Sequence, residues 1–163
     1  MYVLINGDVT FIICCGKIRL QGITRKYDLV ILGIGVDVVH PVRLKRWESI
    51  AGLFERFFHR DELKQCNSRL GEVRILSLAA RFAAKEAFGK ALGSGLTGLS
   101  LRDMAVLNNS VGKPEMMLEG TAKKAFEQLG GERVFISLSH EKQAVIAMCV
   151  IEGSVVIPEV VSR

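Results

Sequence analysis

The sequence has few of the residues that mark several common protein classes. It contains one Trp, two Tyr and three Pro in 163 residues, which excludes collagen-like and proline-rich low-complexity chains. Hydrophobic residues make up 49% and charged residues 24% of the chain, a composition typical of a packed globular protein and not of a disordered one. The length corresponds to one ordinary domain with a core of its own.

Cysteine and long apolar runs are also scarce. The four cysteines, Cys14, Cys15, Cys66 and Cys149, form neither a CxxC pair nor the Cys/His spacing of a zinc site, so we interpret them as buried or free thiols in a reducing, cytoplasmic environment. The apolar run at residues 9–15 is far shorter than the roughly 20 residues that span a bilayer. It also lacks the basic region and cleavage site of a signal peptide. No membrane association is expected.

Positive charge is in excess. Lys and Arg number 22 against 17 Asp and Glu, which gives a net charge of +5 and favours an acidic partner. Residues 42–70 form a basic amphipathic segment in which aromatic residues are interleaved with the charges. A nucleic-acid-binding module would use such a segment with aromatic side chains that stack on bases. Because Trp and Tyr are so few, a nucleic-acid partner is not expected.

The order of apolar patterns predicts an α+β fold, with an antiparallel sheet packed against helices in a single domain. Residues 1–28 are interpreted as an N-terminal extension of unknown role, residues 29–152 as the domain, and residues 153–163 as a C-terminal tail. Within the domain the patterns predict a strand at 29–39, helical structure at 42–70 and a helix at 77–92. A hairpin follows at 99–118, then a helix at 121–129 and a second hairpin at 133–151.

Asp37 is the one acid within the apolar strand at residues 29–39. The two glycines before it, Gly33 and Gly35, resemble the start of a dinucleotide-binding fingerprint, but Val38 replaces the third glycine, so we reject that fold. The glycines instead predict that the strand backbone passes close to another element. A buried carboxylate needs a cation, hydrogen-bond donors or a raised pKa. A salt bridge to a basic residue of the helices is an equally good interpretation.

Glu86 raises the same question on the helix at 77–92, where it shares a stripe of small and aromatic residues with Lys90. Two carboxylates from different elements could bind one Mg²⁺, which takes few protein ligands and completes its shell with water and phosphate oxygens. Arg81, Lys85, Lys90 and His140 would then bind phosphate charge. The simpler alternatives are a surface pair of Glu86 with Lys90, worth a few tenths of a kcal/mol, and a structural or exposed His140.

Four motifs, taken together, resemble those of the holo-(acyl-carrier-protein) synthases, the small bacterial type of 4′-phosphopantetheinyl transferase. They are Gly33-Ile34-Gly35-Val36-Asp37-Val38-Val39, the run from Arg81 to Gly95, Gly112-Lys113-Pro114, and Ser137-Leu138-Ser139-His140. The resemblance implies a magnesium-dependent enzyme of fatty acid biosynthesis. The serine hydroxyl of an apo acyl-carrier protein would attack the β-phosphorus of coenzyme A and release adenosine 3′,5′-bisphosphate. The alternative is a non-catalytic basic module that binds an acidic protein or nucleic acid.

The resemblance also implies roles for individual residues. Asp37 and Glu86 would bind the metal and, with Lys90, carry out catalysis. The coenzyme A site would include Arg81, Lys85, Lys90, Gly93 and His140, and the carrier protein would dock on Arg43, Arg46 and Arg56. The general base stays open between a water on the metal, Asp37 acting through water, and His140. A homotrimer with sites between subunits is expected.

Three positions depart from the family pattern. His40 stands where a Glu is usual, Val111 replaces the Asn before Gly-Lys-Pro, and Glu141 places an acid beside His140. These departures concern carrier docking and the surroundings of His140, and they leave the predicted metal pair intact.

Overall fold

The computed structural model describes the backbone of residues 2–5, 9–12, 17–20 and 23–157, and the side chains of residues 29–154. The chain divides into two units, one of residues 31–152 and one of residues 1–30 with 153–163. In the second unit, antiparallel pairing joins the strands β1 (Tyr2–Ile5), β2 (Val9–Ile12) and β3 (Lys17–Leu20) to the beginning of the next strand. Cys14 and Cys15, which were interpreted as buried or free thiols, lie outside the described residues.

The remaining elements follow in a fixed order. They are β4 (Ile23–Val39), α1 (Pro41–Trp47), α2 (Leu53–Phe57), α3 (Arg60–Asn67), α4 (Gly71–Ala91), β5 (Met104–Asn108), β6 (Pro114–Leu118), α5 (Gly120–Gln128), β7 (Gly131–His140) and β8 (Val145–Ile157). In the main sheet β8 lies between β4 and β7, while β5 and β6 form a separate antiparallel hairpin. The predicted α+β class with antiparallel sheet and packed helices is confirmed.

The helical segment predicted at 42–70 is divided into three short helices. Gly52 has a left-handed backbone (φ 74°) between α1 and α2, a conformation that glycine adopts without steric cost. The backbone is extended again at Phe58 and His59 before α3. The His59 side chain and the Glu62 carboxylate then form a capping box at the start of α3, which satisfies backbone N–H groups that the first turn leaves free.

Helix α4 is the centre of the core. It begins at Gly71, six residues before the predicted start, and most of its side chains from Ile75 to Ala91 are buried. Its alanines leave room for close neighbours. A Cβ atom added to Gly33 or Gly35 of β4 would overlap the backbone carbonyl of Ala91 or Ala87. The close approach that the two glycines predicted is therefore the contact between β4 and α4.

The strand predicted from residue 99 begins only at Met104, because a 3-10 turn at Leu101–Asp103 precedes it. Asp103 holds this turn to the start of α5, since its carboxylate accepts hydrogen bonds from the Thr121 backbone N–H (2.6 Å) and hydroxyl (2.7 Å). These bonds also lower the pKa of Asp103, against the opposing effect of its partial burial. A local contact between two elements thus replaces the first residues of the predicted strand.

Candidate active site

The packing of β4 on α4 determines where Asp37 lies. Gly33 and Gly35 face Ala91 and Ala87 of the helix, and every second residue of a strand points to the same side. Asp37 is the next residue on that side. It therefore lies along the same part of α4 that carries Glu86 and Lys90.

Lys90 is the direct partner of Asp37. Its ammonium donates hydrogen bonds to Asp37 Oδ1 (2.8 Å) and to the carbonyl oxygen of Val36 (2.9 Å). The Asp37 side chain is 16% exposed, whereas that of Lys90 is 51% exposed. The salt bridge to a basic helix residue, which the sequence left open as an interpretation of Asp37, is therefore present.

Glu86 is half-buried beside this pair. Its pKa is raised, first by desolvation and then by the negative charge of Asp37, while Arg43 and Lys90 act in the opposite direction. Glu86 lies one helical turn before Lys90 on the same face of α4, and Lys90 contacts Asp37, so both carboxylates lie on the side of the helix that faces β4. Asp37 of β4, by contact, and Glu86 of α4, by spacing, are thus both neighbours of Lys90, and their binding of a metal stays a prediction.

Arg43 connects helix α1 to this cluster. Its guanidinium lies over the rings of Phe82 (5.3 Å) and Trp47 (5.6 Å), which are typical distances for a cation–π contact. Arg46 and Arg56, the other residues predicted to dock the carrier protein, are exposed on α1 and α2. The basic surface of α1 therefore borders the carboxylate pair.

His40, at the start of α1, makes a structural contact. Its Nδ1 lies 2.8 Å from the carbonyl oxygen of Gln143, in the turn between β7 and β8. His40, which stands where the family usually has a Glu, therefore links the start of α1 to the turn that follows His140.

A groove of about 300 Å³ lies beside the middle of α4. Arg81, Gly112, Pro114 and His140 line it, so the structure brings together residues from three of the four motifs. Val111 is largely exposed beside it. Arg69 and Asn108 also contribute to the lining, and the groove therefore has a basic character.

Arg81 is only 2% exposed, and its hydrogen bonds are incomplete. One terminal nitrogen donates to the Ser77 hydroxyl (2.7 Å) and the other to Gln65 Oε1 (2.8 Å). Among the described residues, nothing accepts a hydrogen bond from its buried Nε. Buried polar atoms are nearly always satisfied, so a water molecule or a ligand in the groove is the expected acceptor for this nitrogen.

Lys85 occupies a different place from the one that the resemblance implied. It is fully buried, and its ammonium donates to Glu62 Oε2 (2.5 Å) and to the carbonyl oxygens of Phe57 and Leu101 (both 2.9 Å). An ammonium has three protons to donate, so none is left for coenzyme A. Burial lowers the pKa of Lys85, and the Glu62 carboxylate opposes that effect. Lys85 is a core residue that joins α4 to α2 and α3.

Two residues of α3 that the sequence did not single out support the groove and the core. Gln65 accepts from Arg81 and from the Asn108 backbone N–H (3.1 Å). Glu62 accepts from Lys85 and from the Val106 backbone N–H (2.9 Å). Their spacing of three residues places both on one face of the helix, and this spacing was the available signal.

Gly93, the last of the predicted coenzyme A residues, ends helix α4. It has a left-handed backbone (φ 80°), and its N–H donates to the carbonyl oxygen of Lys90 (3.0 Å). A glycine in this conformation is a common helix terminator. It lies exposed, three residues beyond the lysine that contacts Asp37.

The described side chains contain no group of three or more His, Cys, Asp and Glu that could hold a metal ion. A carboxylate pair is the largest set of such ligands at this site. Within the same part of the chain, no helix has the length and apolar character needed to cross a membrane.

Comparison with known proteins places these features in a family. Residues 33–149 match the model of the 4′-phosphopantetheinyl transferase superfamily. The holo-[acyl-carrier-protein] synthase of Treponema denticola is 48% identical over 124 residues, which are 76% of this chain and 100% of that protein.

Solved structures agree. The acyl carrier protein synthase of Plasmodium yoelii with ADP bound is 31% identical with a TM-score of 0.69, over 77% of this chain and 98% of that one. The Helicobacter pylori holo-[acyl-carrier-protein] synthase in complex with coenzyme A is 29% identical with a TM-score of 0.62, over 72% and 98%. The predicted enzyme class is thereby confirmed: the chain belongs to the 4′-phosphopantetheinyl transferase superfamily and is of the holo-(acyl-carrier-protein) synthase type.

Proposed function

We propose that the chain transfers the 4′-phosphopantetheine group of coenzyme A to a serine of an apo acyl-carrier protein in a magnesium-dependent reaction. The observation that carries this proposal is the convergence of Asp37 from β4 with Glu86 and Lys90 from α4. The predicted cytoplasmic location is part of the same proposal. In the reaction, the serine hydroxyl gives its proton to a general base as its oxygen forms a bond to the β-phosphorus, and the bond from that phosphorus to the oxygen of the leaving adenosine 3′,5′-bisphosphate breaks.

The carboxylate pair fits a magnesium ion. Asp37 and Glu86 offer the hard oxygen ligands that Mg²⁺ prefers, and two protein carboxylates leave positions for water and substrate phosphate. When bound, the metal neutralises charge on the phosphate oxygens. The close contact of β4 with α4 positions Asp37 and Glu86, and Lys90 provides a further positive charge for the diphosphate.

The groove beside α4 is suited to the nucleotide part of coenzyme A. Arg81 offers a buried Nε–H without a partner among the described residues, and His140 and Arg69 line the same space. Arginine binds phosphate oxygens through directional, charge-assisted hydrogen bonds. Gly93 would contribute only through its position, since it follows the end of α4 three residues after Lys90. Lys85 makes its three hydrogen bonds within the core, so it has no part in the proposed coenzyme A site.

The carrier protein is expected to dock on the basic residues of α1 and α2. Arg43, Arg46 and Arg56 are exposed, and Arg43 lies near enough to influence Glu86. An acidic protein that binds this surface would bring its serine toward the carboxylate pair. Opposite charge across such an interface raises the association rate more than the final affinity.

A direct experiment tests the proposed activity. The purified chain is incubated with Mg²⁺, coenzyme A and an apo acyl-carrier protein, and the carrier is weighed by mass spectrometry. We expect the carrier to gain the mass of one phosphopantetheine, and a carrier whose acceptor serine is replaced by alanine to gain none. No mass gain with any bacterial apo carrier would refute the proposal and favour the non-catalytic alternative.

We also propose a homotrimer, because one face of the main sheet is apolar and exposed. Six outward-facing side chains are between 41% and 55% exposed: Ile34, Val36, Val38, Phe135, Ile146 and Met148. They belong to the neighbouring strands β4, β8 and β7. Apolar patches of this kind mark surfaces that associate with another protein, and further copies of the chain are the partners that the family resemblance implies.

Light scattering after gel filtration tests the trimer. We expect the wild-type chain to run at three times its mass of 18.0 kDa, and the Met148→Glu variant to run as a monomer because a charge would be buried in the interface. The matched control is Leu70→Glu, at an 86% exposed position before α4. A monomeric wild type, or a Met148→Glu variant that stays trimeric, would contradict this assignment of the face.

A further inference from the structure

The charges around Asp37 are balanced. Asp37 and Glu86 contribute two negative charges, and Lys90 and Arg43 contribute two positive ones. Lys90 is in direct contact with Asp37 Oδ1. A divalent cation that approaches this cluster therefore meets a weaker attraction than two unpaired carboxylates would exert, and it finds one Asp37 oxygen already bound to an ammonium.

The contact of Lys90 is one that it can leave. Its side chain is 51% exposed, it lies in the last turn of α4, and its ammonium contacts Asp37 and the Val36 carbonyl oxygen. A lysine has a flexible four-carbon stem. The ammonium can therefore move from the carboxylate to a phosphate oxygen without any change in the fold.

We propose that Lys90 is a resident cation that keeps the carboxylate pair closed to free divalent metal, so that metal and diphosphate enter the site together. This inference rests on the proposed function, since the diphosphate is that of coenzyme A. The diphosphate brings additional negative charge to the site, and the Lys90 ammonium moves from Asp37 to a phosphate oxygen. Asp37 is then free to bind the metal that arrives with the substrate.

Binding of Mn²⁺ in the absence of coenzyme A tests this inference, with free Mn²⁺ measured by electron paramagnetic resonance. Two neutral variants, Lys90→Gln and Lys90→Met, are expected to bind Mn²⁺ about two- to fivefold more tightly than the wild type, the factor that corresponds to an exposed ion pair. Lys90→Arg keeps the charge and should bind as the wild type does. The control Lys124→Gln removes an exposed lysine of α5 and should change nothing.

The outcomes are decisive. The proposal is overturned if neither neutral variant binds Mn²⁺ more tightly than the wild type. This includes the case in which the dissociation constants are equal and the case in which neither the wild type nor the variants bind Mn²⁺. It is also overturned if tight binding persists when Asp37→Asn is added to Lys90→Gln, since the metal would then lie elsewhere. Coenzyme A should raise the affinity for Mn²⁺ by a larger factor in the wild type than in Lys90→Gln. Failure of the proposed function would appear separately, as a wild type that transfers nothing.

Discussion

Phosphopantetheine transfer is expected to fall by about 10²- to 10³-fold in Asp37→Asn and in Glu86→Gln, a loss typical of removing one preorganised electrostatic contact from a transition state. Each substitution removes one hard, charged oxygen ligand from the pair, so charge that develops on phosphate is less well stabilised. The rate is measured from the mass of the carrier at saturating Mg²⁺ and coenzyme A. Glu127→Gln, a 59% exposed carboxylate of α5, is the matched control and should retain full activity.

The stability of Glu86→Gln separates a functional role from a structural one. The pKa of Glu86 is raised by burial and by Asp37, which means that its charged form is disfavoured in the folded chain. A neutral, isosteric Gln should therefore leave the thermal midpoint unchanged or raise it while activity is lost. Activity within threefold of the wild type, or a large loss of stability together with the activity, would contradict the assignment.

The second large effect concerns the buried pair of Lys85 with Glu62. Lys85→Met is expected to lower the free energy of unfolding by about 3–5 kcal/mol, because it leaves the Glu62 carboxylate buried without its cation. Both side chains have 0% exposure, so water cannot replace the lost partner. Unfolding by urea at neutral pH measures the change. Lys123→Met, at a 59% exposed lysine, is the matched control and should shift stability by less than about 0.5 kcal/mol.

A double variant shows whether the buried charge is the cause. Glu62→Gln added to Lys85→Met removes the unpaired carboxylate, while the amide oxygen can still accept from Val106 or His59. We expect this variant to recover part of the lost stability. If the double variant instead has a lower free energy of unfolding than Lys85→Met, as expected when two independent buried deletions add, then packing and not charge dominates this part of the core.

The sequence signals for the proposed carboxylate site are local. An acid within an apolar strand, two glycines beside it, and Glu86 and Lys90 on one helical stripe all lie in short segments. The motifs that resemble the synthases gave these residues a shared role. The contact of Lys90 with Asp37 joins residues 53 positions apart, yet the glycines already predicted a close approach of that strand to some element.

The position of Lys85 could not be predicted in this way. It is adjacent to Glu86 in sequence, but successive helix residues point about 100° apart, so the two side chains face different surroundings. Its partner Glu62 lies 23 residues away on a separate helix. This arrangement arises because residues 42–70 form three separate helices. The breaks between the helices depend on the left-handed backbone of Gly52 and the extended backbone of Phe58 and His59, and the pattern of charges does not predict these conformations.

The contact of β4 with α4 means that two residues without functional groups govern the chemistry of their neighbours. Any side chain at Gly33 or Gly35 would have to push the helix backbone away, and Glu86 and Lys90 would move with it. Neither glycine has a side chain with which to bind metal, coenzyme A or carrier protein. We therefore expect the tolerance of a position to substitution to depend on how closely the β4 and α4 backbones approach there, and not on its distance from the substrate. Engineering of a wider active site should leave this strand and helix unchanged.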